Sequence, residues 1–255
     1  MSGWSGRVVA VTGGLSGMGR ATAELLRGEG AEVAVIDRSR PSNDDALAAS
    51  GALMLQADVS DEAQIAEAFA AIDSRFGRLN GLFSNAGIAR PEALVHEETL
   101  AQWQEVISVN LTGTFLVVRE AVRRMVAGGG GAIVCTSSAM GTLAIPGGTN
   151  AYTASKGAIN ALVRQVAVDY ARQDVRINAI APGAIDTPLM WATTPPNEVE
   201  QMRTTIDSEV PLGKIGRPLD IANAVVWLLS DAAAYVTGAV YHVDGGASAR
   251  MILSV

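Results

Sequence analysis

The chain has almost no cysteine: Cys135 is the one such residue in 255. That excludes a disulfide framework and a thiolate-bound zinc cluster. Aromatic residues make up only 5% and there are two histidines, His96 and His242. They lie far apart in the sequence with no helical pairing to a carboxylate, so no metal site is expected. No apolar run reaches the roughly 18–20 residues of a membrane span. Positive charge is also short: 19 basic residues face 26 acidic ones, a net charge of −7 that argues against a nucleic-acid partner. The opening residues run straight into a strand-like VVAVTGG and leave no room for a cleavable leader, so a cytoplasmic chain is expected. No Gly-x-Ser-x-Gly elbow is present either, because Met18 stands where its second glycine would be, and serine hydrolysis is disfavoured.

What is present is a large aliphatic content, with 49% apolar residues and 27 glycines. A chain of this length buries roughly 70–75% of its unfolded-state surface and needs no staples. Short β-branched runs at Val8–Thr12, Glu32–Asp37, Ala52–Ala57, Leu79–Ser84, Ala132–Ser137, Val175–Ile180 and Ala239–Val243 alternate with helix-period segments near 17–29, 61–76, 99–127, 152–172 and 218–230. That rhythm predicts an α/β fold, a doubly wound parallel sheet of about seven strands with helices on both faces. No repeat or linker divides it, so residues 1–255 are expected to form one domain. The segment 187–218, rich in Pro, Met, Trp and charge, breaks the rhythm just beyond a strand's C-terminal end. Ligands bind at such ends, and this stretch is the candidate substrate lid.

Two features point to a dinucleotide. The turn after the first strand reads Thr12-Gly13-Gly14-Leu15-Ser16-Gly17-Met18-Gly19, and its glycines allow a backbone to approach a pyrophosphate at a helix N-terminus. Its spacing is Gly-x-x-x-Gly-x-Gly rather than the more familiar Gly-x-Gly-x-x-Gly. Asp37 ends the second strand, where a carboxylate accepts from ribose hydroxyls and repels a 2′-phosphate, favouring NAD over NADP. Arg38, next to it, is a solvated arginine or a phosphate partner. A third feature points to proton chemistry. Tyr152 and Lys156 stand four apart at the start of a helical segment and share one face. An ammonium beside a phenol lowers the phenol's pKa, as a general acid/base for a hydroxyl or carbonyl requires.

The glycine turn, Asp37, Ser84-Asn85-Ala86-Gly87, Ser138, Tyr152/Lys156 and Pro182-Gly183 occur in that order over essentially the whole chain. In this the chain resembles the short-chain dehydrogenase/reductase family, in its shorter, single-domain, Rossmann-type branch. The resemblance implies a catalytic set of Asn110, Ser138, Tyr152 and Lys156: Tyr152 as acid/base, Lys156 lowering its pKa and binding the nicotinamide ribose, Ser138 holding the substrate oxygen, Asn110 holding a proton-relay water. It implies NAD contacts at Gly13, Ser16, Gly17, Met18, Gly19, Asp37, Asp58, Val59, Asn85, Ala86, Gly87, Pro182, Gly183, Ile185 and Thr187, with Tyr152 and Lys156. Asp58-Val59 match the adenine contacts and Asn85 the residue against the adenosine ribose. Ile185 and Thr187 match contacts to the carboxamide and pyrophosphate. Ser138 lies 14 residues before Tyr152, one more than usual, which leaves Ser137 in competition.

The implied activity is an NAD-dependent alcohol dehydrogenase or ketone reductase. Leu143, Ile145, Leu189, Met190, Trp191 and Met202 favour a hydrophobic or cyclic secondary alcohol. A 3-oxoacyl thioester reductase is the alternative, with Arg119, Arg123 and Arg124 either a solvated or subunit-contact face or a seat for an acidic carrier. An NAD-binding regulator without turnover is the reading from another class, and it would be expected to lack the Tyr or the Lys. Enoyl reductases of the family separate Tyr and Lys more widely than here. The family, and two long Ala-rich helical segments with more apolar surface than one sheet face needs, imply a homotetramer.

Overall fold

The computed structural model describes residues 3–90, 93–192 and 194–250. The ends of the expected 1–255 domain and Thr193 of the expected lid lie outside the described residues. The seven strands are β1 (Val8–Thr12), β2 (Glu32–Asp37), β3 (Leu53–Gln56), β4 (Gly81–Ser84), β5 (Gly131–Thr136), β6 (Val175–Pro182) and β7 (Val240–Val243). They form one parallel sheet in the order β3-β2-β1-β4-β5-β6-β7. The strands are apolar nearly throughout because both faces are covered. Val8 and Ala10 point to the side of α3 (Glu62–Phe76), α5 (Thr114–Gly128) and α6 (Asn150–Tyr170), where they join Phe69, Ile72, Met125, Ile159 and Val163. Val9 and Val11 point the other way, to Leu26 of α1 (Gly17–Gly28) and to Ile221, Val225 and Leu229 of α9 (Pro218–Leu229).

Helix ends are set by local chemistry. The Asp61 carboxylate accepts from the N–H groups of Ala63 and Gln64 to start α3, and Gly77 at φ 70° ends it. Thr99 and Gln102 form a reciprocal capping box at α4 (Leu100–Ile107). The segment expected as one helix over 99–127 is α4 and α5 joined by a π-helical turn, Ser108–Gly113, which carries Asn110. Helix period alone does not reveal such an insertion. Three short helices were not foreseen: α2 (Ala46–Ala49), and within the lid α7 (Pro188–Trp191) and α8 (Val199–Glu209).

Strand order reverses between β1 and β4, and a ligand crevice opens at such a switch point. One side chain bridges it. Thr12, fully buried at the end of β1, accepts at Oγ1 from the N–H of Asn85 (2.9 Å) and of Ala86 (3.0 Å) just past β4. Thr12→Val keeps the shape and strands two backbone donors. It should lower unfolding stability by about 1–3 kcal/mol in urea titration, with the secondary structure unchanged by circular dichroism.

Candidate active site

A cleft of about 380 Å³ runs along the switch point. It is lined by Gly13, Ser16, Gly17 and Met18, by Asp37, Arg38 and Ser39 after β2, by Asp58 and Val59 after β3, by Asn85 to Ile88 after β4, and by Thr187 to Leu189 of the lid. Gly13 and Gly17 adopt φ of 63° and 52° to make the turn, a region that side chains rarely enter. A Cβ on Gly19 would stand 2.2 Å from the Gly13 carbonyl oxygen, so only glycine lets α1 start this close to the loop. Ser16 makes no side-chain cap on α1, and no acidic residue stands in its first turn. The helix therefore presents backbone donors and the positive end of its dipole to the cleft, which suits a diphosphate. At the far end the Asp37 carboxylate accepts from the N–H of Leu15 (3.2 Å) and of Ser39 (3.0 Å), which aims it along the rim. This cradle fits an adenine dinucleotide.

Not every expected contact residue is on the cleft wall, and one that is has protein partners. Asn85 lines the cleft, but its side chain is engaged by the protein. Nδ2 donates to the carbonyls of Thr12 (3.2 Å) and Gly13 (3.3 Å), and Oδ1 accepts from Thr136 Oγ1 (3.3 Å). It staples the glycine loop to β4 and β5 and stands in the cleft wall. Gly19, Pro182, Gly183 and Ile185 are not among the cleft-lining residues. Pro182 ends β6 opposite Val243, and a Cβ on Gly183 would meet Asp244 at 2.7 Å. Ile185 is buried at the base of the lid, bridged to Gly216.

At the inner end a Cβ on Gly87 would stand 3.7 Å from Lys156 Nζ and 3.2 Å from Asn110 Oδ1, which puts these two residues of the expected catalytic set beside the cleft. Lys156 is buried, and its ammonium donates to the Thr136 carbonyl at the end of β5 (2.8 Å) while lying 5.4 Å from the Tyr152 ring centre. Burial brings its pKa down to about 8. Burial also pushes the Tyr152 phenol above its ordinary value, and a hydrogen bond with the Ser138 hydroxyl pulls the other way. The expected acidification of Tyr152 by Lys156 is thus not what this geometry produces: the ammonium is held by the strand end, and desolvation sets the phenol.

The two serines separate clearly. Ser137 is buried, and its hydroxyl donates to the Lys156 carbonyl (3.3 Å). Ser138 Oγ accepts from the N–H of Met140 (3.2 Å), which leaves its proton to give. The loop between Ser138 and Tyr152 is turned by Gly147 and Gly148, both at positive φ. Asn110 is fully buried, exchanging hydrogen bonds with the backbone of Ile88 (2.8 and 2.9 Å), and its Nδ2 reaches Ser155 Oγ (3.4 Å). Ser155 in turn donates to the Tyr152 carbonyl (2.6 Å).

Sequence reasoning missed the residues that hold this set: Thr12, Thr136, Ser155 and Asn160. Asn160, one turn beyond Lys156, donates to the Gly141 carbonyl (3.2 Å) and clamps the loop after Ser138 onto α6. A Cβ on Gly141 would meet Ser137 Oγ at 2.8 Å and the Lys156 carbonyl carbon at 3.0 Å. Their only signal in sequence is a polar residue where the pattern demands burial.

A family model described as enoyl-(acyl carrier protein) reductase matches residues 13–248. A cis-4-hydroxycyclohexanecarboxylate dehydrogenase from Sinomonas cyclohexanicum is 41% identical over 247 residues, 95% of this chain and 97% of that protein. A 2,5-dichloro-2,5-cyclohexadiene-1,4-diol dehydrogenase from Sphingobium indicum is 37% identical, covering 98% of this chain and all of that protein. The crystal structure of a levodione reductase superposes with a TM-score of 0.90 at 39% identity, covering 97% of this chain and all of that one. The chain belongs to the short-chain dehydrogenase/reductase family. It is an oxidoreductase acting on CH–OH groups, and dehydrogenases of this family use nicotinamide cofactors.

The depressed Lys156 value is directly measurable. The chain has two lysines, Lys156 and Lys214. With lysine labelled at 13Cε, the resonance absent from Lys156→Met should titrate with a midpoint near about 8. A midpoint at 10 or above would contradict the buried ammonium.

Proposed function

We propose that the chain is an NAD-dependent dehydrogenase or ketone reductase for hydrophobic or cyclic secondary alcohols. The carrying observation is the meeting of a protonated phenol, a proton-donating serine and a buried ammonium beside a cleft that ends on Asp37. Bound there, the nicotinamide accepts or supplies a hydride. The protein's own groups handle the oxygen and its proton. Ser138 donates to the substrate oxygen and holds it in line with Tyr152. In reduction the phenol, kept protonated at neutral pH by burial, gives its proton to the developing alkoxide. In oxidation the phenolate takes the hydroxyl proton. Lys156 binds the nicotinamide ribose and replenishes the proton, and Asn110 anchors the relay water. The Asn110 side chain is spent on Ile88, so its backbone carbonyl, which already accepts from Thr114 Oγ1 (2.7 Å), uses its remaining lone pair.

Cyclic, apolar substrates are supported by Leu143 and Ile145 in the loop after Ser138 and by Leu189 and Met202 on the lid, all exposed at the sheet's ligand-binding edge. The cyclohexane and cyclohexadiene rings in two relatives' names agree with this. The acyl-carrier alternative gains nothing from the arginines: Arg119 pairs with Glu62, Arg123 with Glu120, and Arg124 with Asp73 and Glu120, so that stretch is not a free basic seat. The proposal extends to one domain over 1–255, the lid at about 187–218, a cytoplasmic location and a homotetramer. Two separate apolar patches support the tetramer, Leu100, Trp103, Phe115 and Val168 on α4 to α6, and Leu219, Trp227 and Tyr235 by α9 and the β7 edge.

Two measurements test the reading. Wild-type kcat/KM should favour NAD(H) over NADP(H) at least tenfold, about 1.4 kcal/mol, and Asp37→Ala should erode that preference; parity in the wild type would refute the assignment of Asp37. Tyr152→Phe should lower kcat by at least about 10²-fold, the scale of general acid–base catalysis, with NADH binding retained. In the wild type, ketone reduction should stay flat through neutral pH while oxidation rises with pH, because the phenol must ionise only for the latter. Retention of more than a tenth of wild-type turnover in Tyr152→Phe would reassign the chemistry.

A further inference from the structure

The lid has no core of its own. Neither α7 nor α8 buries a side chain, and a four-residue helix such as α7 does not persist without support. The lid's base is firm: the N–H of Gly216 donates to the Ala184 carbonyl (3.0 Å) and the N–H of Asp186 to the Gly216 carbonyl (2.9 Å), with Ile185, Val210 and Ile215 buried around this stem. Between stem and helices stands one carboxylate. Asp186 Oδ1 accepts from Trp191 Nε1 at the end of α7 (2.8 Å) and from an Arg203 Nη2 on α8 (3.0 Å). The Arg203 guanidinium also lies 5.1 Å from the centre of the Trp191 ring. An isolated exposed ion pair contributes little. Here each of three groups holds the other two, and the planar guanidinium is fixed by stacking as well as by charge. A second carboxylate, Asp207 of α8, accepts from the N–H of Ile215 (2.5 Å) and ties the far end of α8 to the stem.

We propose that Asp186 is a positioning residue for the dehydrogenase reading above: it couples α7 and α8 to the stem as one flap, and so sets the affinity for substrate and nicotinamide coenzyme without touching either. Its neighbour Thr187 lines the cleft, where its Cγ2 would stand 3.2 Å from a Cβ on Gly17. Leu189, between Asp186 and Trp191, lines it too, and Met202 precedes Arg203. Releasing the carboxylate frees all three from their places while leaving Tyr152, Ser138 and Lys156 where they are.

The test is amide hydrogen exchange of Asp186→Ala and Asp186→Asn, read by mass spectrometry beside steady-state kinetics and NADH titration by fluorescence. Exchange in α7 and α8 should rise at least tenfold in Asp186→Ala and less in Asp186→Asn, which keeps an acceptor for Trp191, with strand amides unchanged. KM for the alcohol and Kd for NADH should rise at least fivefold while kcat stays within about twofold. Arg203→Gln, which removes the charged partner of Asp186 on α8, should reproduce a smaller version of the same split. Unchanged lid exchange, a rise spread over the whole sheet, or kcat falling with KM constant would overturn the assignment. Faster exchange confined to the lid, in a wild-type protein that oxidises no alcohol, would uphold the flap contact and overturn the dehydrogenase reading instead.

Discussion

A buried ammonium must be given partners, and the site is organised around meeting that demand. Lys156 can reach a carbonyl only where a strand ends, because within the sheet every carbonyl is already used by its neighbour. The end of β5 supplies it through Thr136. Ile159, Val163 and Ala167 seat α6 in the core, and α6 carries Tyr152 one turn before Lys156 and Asn160 one turn after it. Asn160 and Ser137 then clamp the loop after β5, so Ser138 faces the phenol. Thr136 is also held by Asn85, which reaches back to the glycine loop. The proton-handling end and the phosphate-handling end of the cleft therefore share one hydrogen-bonded frame.

That frame is rigid for a reason distinct from the one that makes the lid adjustable. Residues of β1, β2, β4, β5 and β6 are buried almost throughout, and loosening them exposes apolar surface at about 25 cal/mol per Å². Helices α7 and α8 of the lid bury no side chain and depend on polar contacts at the stem, so they can shift at little hydrophobic cost. The proposed chemistry needs fixed distances among Tyr152, Ser138 and Lys156, whereas the proposed lid has to admit and release substrate. The division of buried surface between sheet and lid provides both.

The strands, their approximate bounds and the placement of Asp37, Tyr152 and Lys156 were legible because each rests on a periodic or locally spaced signal. Val8–Thr12 and Glu32–Asp37 are recovered to the residue. The glycine loop's fit was legible as a pattern, but the reason for Gly19, a 2.2 Å approach to Gly13, exists only in three dimensions. The π turn at Asn110 was hidden because inserting one residue into a helix leaves no compositional trace. The hydrogen bonds that Asn85 and Lys156 make to Thr12, Gly13 and Thr136 were not legible, because they join segments far apart in sequence. Lid helices α7 and α8 were invisible because helices without a buried face carry no core-facing periodicity.

If Lys156 is kept charged for chemistry rather than for stability, the fold itself should not need it. A pKa lowered to about 8 means that the buried charge costs roughly 3 kcal/mol relative to the neutral form. Lys156 by itself makes the folded state bind fewer protons than the unfolded chain from about pH 8, which raises stability with pH, while the buried Cys135 thiol, pushed up to about 12, works in the opposite direction above its ordinary value of 9.0. The most direct test is the thermal midpoint of Lys156→Met at pH 7, read beside turnover of the same preparation. A midpoint at or above that of the wild type, with turnover lost, is the predicted result. A midpoint several degrees lower, or turnover retained, would contradict it.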